Sequence, residues 1–256
     1  VKGHISFSEF KLWSECAFHH KLKYIDNLEG FTGSLYTIFG TAIHSVCENS
    51  VGQPESFDPE KHFLEIFEDG KNKLLSEGIS VNQQEYDAMI PQAKGIISSY
   101  LPALQKKFPG FEVVVTEEDL MEEIEGSEIK FKGFIDFIIK TPDGKYHIID
   151  WKTCSWGWDA QKKSDKIVSY QLTFYKHFWA KKHNVDPKNI ETYFGLLKRT
   201  AKKDNVEIFR VTSGEKKINN ALTALRNTIM NIERQKFYKN RTSCKFCPFY
   251  KTEHCK

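Results

Sequence analysis

Apolar positions recur with a period near four through most of the first 110 residues, then with a period of two from Phe111 to about Lys152. The first spacing lines one face of a helix and the second one face of a strand. Ser6-Phe-Ser-Glu9 has the form of a capping box, with Phe10, Trp13 and Ala17 following at helical spacing, so a helix is expected from there to about His20. A second helix is expected over residues 36–50, with Phe39, Ile43, Val46 and Cys47 as its buried stripe and Gly52 as its stop. Helical periodicity continues over 58–105, broken by Gly78, Pro91 and Pro102, and reads as a helical insertion spanning 52–110.

Strands are expected at 112–116, 130–140 and 146–152, the last two joined by Thr141-Pro-Asp-Gly-Lys145, a hairpin turn. The hairpin is apolar on both faces near Ile135–Ile139, which marks its strands as central. A helix over 166–182, strands at 190–198 and 206–212 joined by the basic loop Arg199-Thr-Ala-Lys-Lys203, and a helix over 214–237 complete the pattern. With no internal repeat and no low-complexity linker, residues 1–256 read as one α/β domain with a helical elaboration.

At 40% hydrophobic and 28% charged residues, the composition excludes wholesale disorder, collagen-like repeats and a disulfide mini-scaffold. The net charge of +3 hides an asymmetry: residues 1–150 carry 14 basic and 25 acidic side chains, whereas 151–256 carry 23 basic and 9 acidic. Such a division points to a nucleic-acid or other acidic partner for the C-terminal part. No apolar run approaches the roughly 18–20 residues of a membrane span, and the start Val1-Lys2-Gly3-His4 has no signal-peptide core. A cytoplasmic protein with no membrane partner is the expectation. There the six cysteines are metal ligands or core thiols rather than disulfides.

Asp150 and Lys152 share a strand face, and a turn centred on 142–144 sets Asp136 of the preceding strand opposite Asp150. Two carboxylates at one spot repel each other unless a divalent cation neutralises them, and hard oxygen ligands suit Mg2+ or Mn2+. Lys152 would then orient or deprotonate an attacking water. The plainer alternative is two surface aspartates and a lysine at a sheet edge. Against it, both acids sit inside apolar strands, where an unpaired charge is costly.

Gly133-Phe-Ile-Asp136, Asp150-Trp-Lys152 and Gln171-Leu-Thr-Phe-Tyr175 resemble, in order and spacing, the GxxD, (D/E)xK and QxxxY series of PD-(D/E)XK nucleases of the RecB type. Gly40-Thr-Ala-Ile-His44 is similar to the GxxxH helix of the same group. The resemblance implies a restriction-endonuclease-like fold, a mixed central sheet flanked by helices. It also implies catalysis by Asp136, Asp150, Lys152, Gln171 and Tyr175, with the metal held by His44, Asp136, Asp150 and the main-chain carbonyl of Trp151. Glu48 and the acidic run 117–123 are further ligand candidates, with an exposed helix carboxylate and a solvated strand rim as the plainer readings.

Cys244-x2-Cys247-x7-Cys255 offers three soft ligands, and Cys16, Cys47, Cys154 and His254 are candidates for a fourth. One early and three late cysteines are similar to the iron-sulphur nucleases, including the AddB-type helicase-nuclease subunit and the CRISPR-associated spacer-acquisition nucleases. That likeness picks Cys16 and implies a 4Fe-4S cluster clasping residues 1–20 to 238–256, with zinc as the alternative occupant. Ala17 stands where those proteins often have proline, and the x7 gap is longer than theirs.

Lys162, Lys163, Arg199, Lys202 and Lys203 are candidates for phosphate contacts, and Trp156 and Trp158 for base stacking. The expected function is a metal-dependent DNA nuclease, an exonuclease on single-stranded or frayed duplex ends, in recombination, replication or repair in a bacterium or phage-infected host. Two alternatives are a non-catalytic nucleic-acid-binding module with structural zinc and an accessory subunit active only with a helicase or recombination partner.

Overall fold

The computed structural model describes residues 3–30, 33–51 and 57–256. The expected helix stop at Gly52 therefore lies outside the described residues. A six-stranded mixed sheet runs β1(His4–Ser6), β3(Lys130–Lys140), β4(Tyr146–Cys154), β5(Ile190–Lys198), β6(Val206–Val211), with β2(Glu112–Glu123) paired antiparallel to β3. On one face lie α1(Phe7–Glu15), α7(Lys166–His183) and α8(Glu215–Glu233), packed on Phe131, Ile135, Ile138, Ile148 and Leu196. On the other lie α3(Leu35–Asn49), α4(Pro59–Ser76) and α5(Gln83–Lys107), packed on Phe137, Ile139, Ile149, Trp151 and Leu197. The short helices α2(Ala17–His20) and α6(Ala160–Ser164) bridge elements at the periphery.

The hairpin register is the expected one, with Lys140 opposite Tyr146 and Phe137 opposite Ile149. There the β3–β4 ladder stops. Five residues nearer its start, β3 pairs instead with β1, in parallel, at Lys130–Lys132. The two strands therefore fork beside Asp136 and Asp150. β3 also changes phase at the fork: Phe131 and Ile135 belong to the α7 side, whereas Phe137 and Ile139 belong to the α3–α5 side.

Several local expectations are corrected. The first helix does not run unbroken to His20: Cys16 is extended (φ −161°, ψ 106°) and separates α1 from α2, with a π-helical turn over Lys21–Ile25 beyond. The capping box is only half formed. Ser6 accepts from the Glu9 N–H, but the Glu9 carboxylate is drawn 11 residues along the chain to His20 Nε2 at 2.9 Å. Pro91 and Pro102 do not break α5. Both are exposed, as are Asp87 and Ser98, whose carbonyls lose an N–H partner, so water satisfies what proline cannot. Gly78, at φ +78°, does end the preceding helical stretch. β2 extends to Glu123, because a bulge at Val113/Val115 and a left-handed Glu117 (φ 55°) reset its pairing with β3. Across Glu117 the strand's two faces exchange, and Glu118 points inward, so it is no solvated rim: it accepts from Trp179 Nε1 at 2.7 Å and pairs with Lys182 and His183.

Gly195 of β5 lies directly beneath the buried Trp151 ring, where an added Cβ would overlap the indole. Trp151 is itself held edge-on by Tyr100 and tilted against Phe137, so it has no room to withdraw. Gly195→Ala should destabilise the protein by about 1–3 kcal/mol through overpacking. A thermal melt followed by circular dichroism checks this, and an unchanged Tm would show that Trp151 can move aside.

Candidate active site at the strand fork

The fork removes β-ladder partners from main-chain groups that must still be satisfied. Side chains take their place. The Trp151 N–H donates to Asp136 Oδ2 at 2.7 Å, so this carboxylate stands in for a lost strand carbonyl. From α7, the Tyr175 hydroxyl accepts from the Phe134 N–H of β3 and from Gln171 Nε2 at 3.1 Å. Gly133 makes this approach possible: a Cβ there would press on the Tyr175 and Phe131 rings at about 3 Å.

Asp150 and Lys152 project to the α7 side of β4, and Lys152 Nζ lies 2.6 Å from Asp150 Oδ2. That ion pair is off the regular hydrogen-bond angle, so among the described residues the buried Asp150 Oδ2 has the ammonium as its partner and no well-aligned donor. His44 arrives from the opposite layer, its Nδ1 3.8 Å from Asp136 Oδ2. Gly40, one turn earlier on α3, approaches Thr153 closely; a Cβ there would sit 3.2 Å from its hydroxyl. The glycines of both GxxD and GxxxH thus have steric reasons, each letting a neighbouring element close on the fork.

Burial dominates the electrostatics. It raises the Asp136 carboxyl from 3.8 to about 6 despite the Lys152 ammonium and the Trp151 N–H. It likewise raises Asp150, 1% exposed, to about 6, with Lys152 opposing and Asp136 adding to the rise. Burial and then the Lys152 charge lower His44 to about 4, so its imidazole is neutral at pH 7, the form that binds metals. Burial pulls Lys152 down, but Asp150 and Asp136 hold it above its ordinary value.

Two carboxylates, a neutral imidazole and a peptide carbonyl form a hard donor set for one divalent cation. Two buried carboxylates with a single ammonium between them leave negative charge that such an ion would balance. Among the described residues, no three His, Cys, Asp or Glu side chains already converge on a single ion position. Lys152 instead partners Asp150.

Two further acids, Glu48 and Glu117, stand close to the fork. Glu48, one turn beyond His44, is half-buried and raised to about 7 by burial, then by Glu117 and Asp136. Glu117 holds its left-handed conformation between Thr116, opposite Phe137, and Glu118, opposite Ile135, which sets it across from Asp136. Phe134, half-exposed inside the GxxD run, escaped sequence reasoning because its face follows from the phase change in β3.

The proposed nucleic-acid residues separate into two kinds. Trp156 is 77% exposed, while Trp158 packs on Phe194 and Phe209 and carries Lys162 over its ring. Lys163 is paired with Glu207. Arg199 is tied to Gln92 and Ser155 and stacked on Tyr36. Lys202 and Lys203 are exposed.

At the far end of α1, Cys16, Cys244, Cys247 and Cys255 line one small apolar cavity. Chain segments distant in sequence meet there: Phe18 N–H donates to the Tyr238 carbonyl at 3.0 Å, Asn240 N–H to Cys16 Sγ at 3.4 Å, and Ser243 Oγ to the Glu15 carbonyl at 2.8 Å. Burial raises the Cys247 thiol, and the other three sulphurs add to the rise. Cys47 is buried in the α3–α5 core, and Cys154 packs against the core on the α7 side of the sheet.

A family model for the PD-(D/E)XK nuclease superfamily matches residues 4–252. The chain belongs to this superfamily. Its members are phosphodiester hydrolases that typically use Mg2+ or Mn2+, and the mixed sheet between two helical layers is their restriction-endonuclease-like fold. Among solved structures, a candidate exonuclease from Eubacterium rectale is similar in fold, with a TM-score of 0.56 and 16% identity over 91% of this chain and 80% of that one. A structure of SSO0001 matches with a TM-score of 0.45 and 13% identity over 97% of this chain and 84% of that one. No curated protein sequence matches. Among the described residues, no helix of this superfamily member is long and apolar enough to cross a membrane.

Because the folded-state value of Asp136 lies above 3.8, the metal-free fold binds a proton that the unfolded chain releases. Stability therefore falls as pH rises from about 4 to about 6 and stays low above that, by on the order of 1–3 kcal/mol. Asp136→Asn should raise the metal-free Tm at pH 7.5, reduce that fall, and remove the stabilisation Mg2+ gives the wild type. Superimposable Tm-against-pH curves for the two proteins would contradict this.

Proposed function

We propose that residues 1–256 form a single nuclease domain of the iron-sulphur RecB type that hydrolyses DNA phosphodiester bonds. Its substrates are single-stranded or frayed duplex ends, attacked as an exonuclease in recombination, replication or repair, with a helicase or recombination protein as partner. The single observation that carries the reading is the meeting of His44, Asp136, Asp150 and Lys152 at the fork.

When bound, a Mg2+ or Mn2+ ion supplies charge neutralisation and activation of a water. Asp136, Asp150, the Trp151 carbonyl and His44 would hold it. The Trp151 N–H fixes the orientation of Asp136, and therefore which of its oxygens faces outward. Lys152 donates to the attacking water or a scissile phosphate oxygen, and burial favours its losing a proton once its neighbours' charges are compensated. Gln171 and Tyr175 are positioning residues that keep β3 open at Phe134. Trp156, exposed four residues beyond Lys152, is suited to stacking on a base of the strand, with Lys162, Lys202 and Lys203 near phosphates. Trp158, Lys163 and Arg199 support the walls of this region rather than touching DNA.

The four-cysteine cavity supports a soft-metal group joining 1–20 to 238–256. Zinc requires thiolates converging at about 2.3 Å on one point. Four sulphurs around a common cavity suit the larger 4Fe-4S cluster as well, and that is the occupant proposed.

Asp150→Ala and Lys152→Ala should each lower Mg2+-dependent cleavage of end-labelled single-stranded DNA by at least a thousandfold while circular dichroism stays native. Cleavage by either variant at the wild-type rate, or wild-type cleavage in EDTA, would sink the nuclease reading. Protein purified anaerobically should be brown, with iron and sulphide lost in Cys16→Ser or Cys247→Ser and kept in Cys47→Ser. A colourless protein holding stoichiometric zinc would replace the cluster by zinc.

A further inference from the structure

A pocket of about 540 Å3 opens between the first turns of α7 and α8, outside the strand fork. Lys166, Lys216 and Lys217 line it together with Ser169, Tyr170 and Asn220, and among the described residues Glu215 is its one carboxylate. The first turn of α8 begins at Gly214 with no side-chain cap. The Lys217 and Ile218 N–H groups turn back to the Gly214 carbonyl, which leaves those of Glu215 and Lys216 as the helix's outward donors. The positive end of the helix dipole and an excess of ammonium groups act at the same place.

A second observation is independent of the helix end. Tyr170 is 1% exposed and forms part of the pocket wall, yet its hydroxyl has no hydrogen-bond partner among the described residues. Buried hydroxyls are normally paired, because an unpaired one costs about 1–3 kcal/mol. Lys166 lies over the same ring, 5.7 Å from its centroid. Lys217 Nζ donates to the Thr212 carbonyl at 3.0 Å and has two further protons to give.

We propose that this pocket binds a phosphate group, received by the α8 N–H groups and the Lys216 and Lys217 ammonium groups, with the Tyr170 hydroxyl completing its wall. The phosphate belongs either to a nucleic-acid strand or to a small molecule such as free phosphate or a nucleotide. The strand source rests on the nuclease reading. It is favoured by the segment from Lys152 through the exposed Trp156 and Lys162 to Lys166, which leads from the fork to the pocket.

Thermal unfolding of the full chain in EDTA, titrated with inorganic phosphate at fixed ionic strength, tests the site. Phosphate should raise the wild-type Tm. Tyr170→Phe and the double variant Lys216→Gln/Lys217→Gln should each weaken the apparent phosphate affinity at least tenfold. Tyr170→Phe removes a hydroxyl with no protein partner, so its phosphate-free Tm should equal or exceed that of the wild type. An identical phosphate response in all three proteins, or an equal response to chloride, overturns the proposal. Binding of a single-stranded oligonucleotide in EDTA separates the sources. Weaker binding with a shallower salt dependence in the lysine double variant assigns the phosphate to a strand, and unchanged oligonucleotide binding with lost phosphate binding assigns it to a small molecule. Neither arm requires cleavage, so failure here is distinct from failure of the nuclease reading.

Discussion

The β3–β4 ladder ends at Phe137 and Ile149, and the rest of the site follows from that opening. A continuous ladder would pair the next residues through their own backbones and seal each helical layer from the other. Once the strands part, the freed groups need other partners, and the molecule supplies them from side chains of both layers. Asp136 takes the Trp151 N–H, and Tyr175 takes that of Phe134. Through the gap His44 on α3 and Tyr175 on α7, from opposite faces of the sheet, reach one pair of carboxylates. The main-chain accounting that keeps the fork open is also what aims the functional side chains.

The same opening makes the metal-free fold electrostatically poor. Two buried carboxylates face one ammonium, and the imidazole beside them is uncharged at neutral pH. Such a site tends to exclude negative charge and is stabilised by a bound cation, so stability and function oppose each other there. Rigid surroundings keep it from collapsing. Gly133 and Gly195 admit the Tyr175 ring and the Trp151 indole at distances that a Cβ would forbid, and Gly40 admits the Thr153 hydroxyl where a Cβ would be tight. The neighbours of the catalytic strand are thereby locked in close-packed positions.

Where structure is set by spacing along the chain, the sequence was a good guide. Thr141–Lys145 fixes the hairpin register, and the register puts Asp136 by Asp150 whatever packs above them. Elements set by distant partners were not legible. Cys16 is extended where it meets the C-terminal tail, and Glu9 leaves its capping box for His20. Glu118 points inward just after the left-handed Glu117, where the faces of β2 exchange. Proline removes a donor, which at Pro91 and Pro102 signals a break, but whether the stranded carbonyl can meet water depends on which helix face it occupies.

Charge shows the difference most plainly. The second half of the chain has 23 basic residues, and as a sequence total they suggest one broad cationic surface. In the fold, many are neutralised internally: Lys163 and Lys198 by Glu207, Arg210 by Glu191, Lys182 by Glu118, while Arg199 is consumed by Gln92 and Ser155. Exposed cations stand in separate groups, among them Lys162 and Lys166 after the Asp-Trp-Lys strand, Lys202 and Lys203 in the β5–β6 loop, Lys216 at the start of α8, and those of the cysteine-bearing tail. Contacts between exposed charges fade beyond a Debye length of about 8 Å at physiological salt. These groups therefore do not merge into one field, and under the proposed nuclease function each serves as a local phosphate contact along a track past the fork.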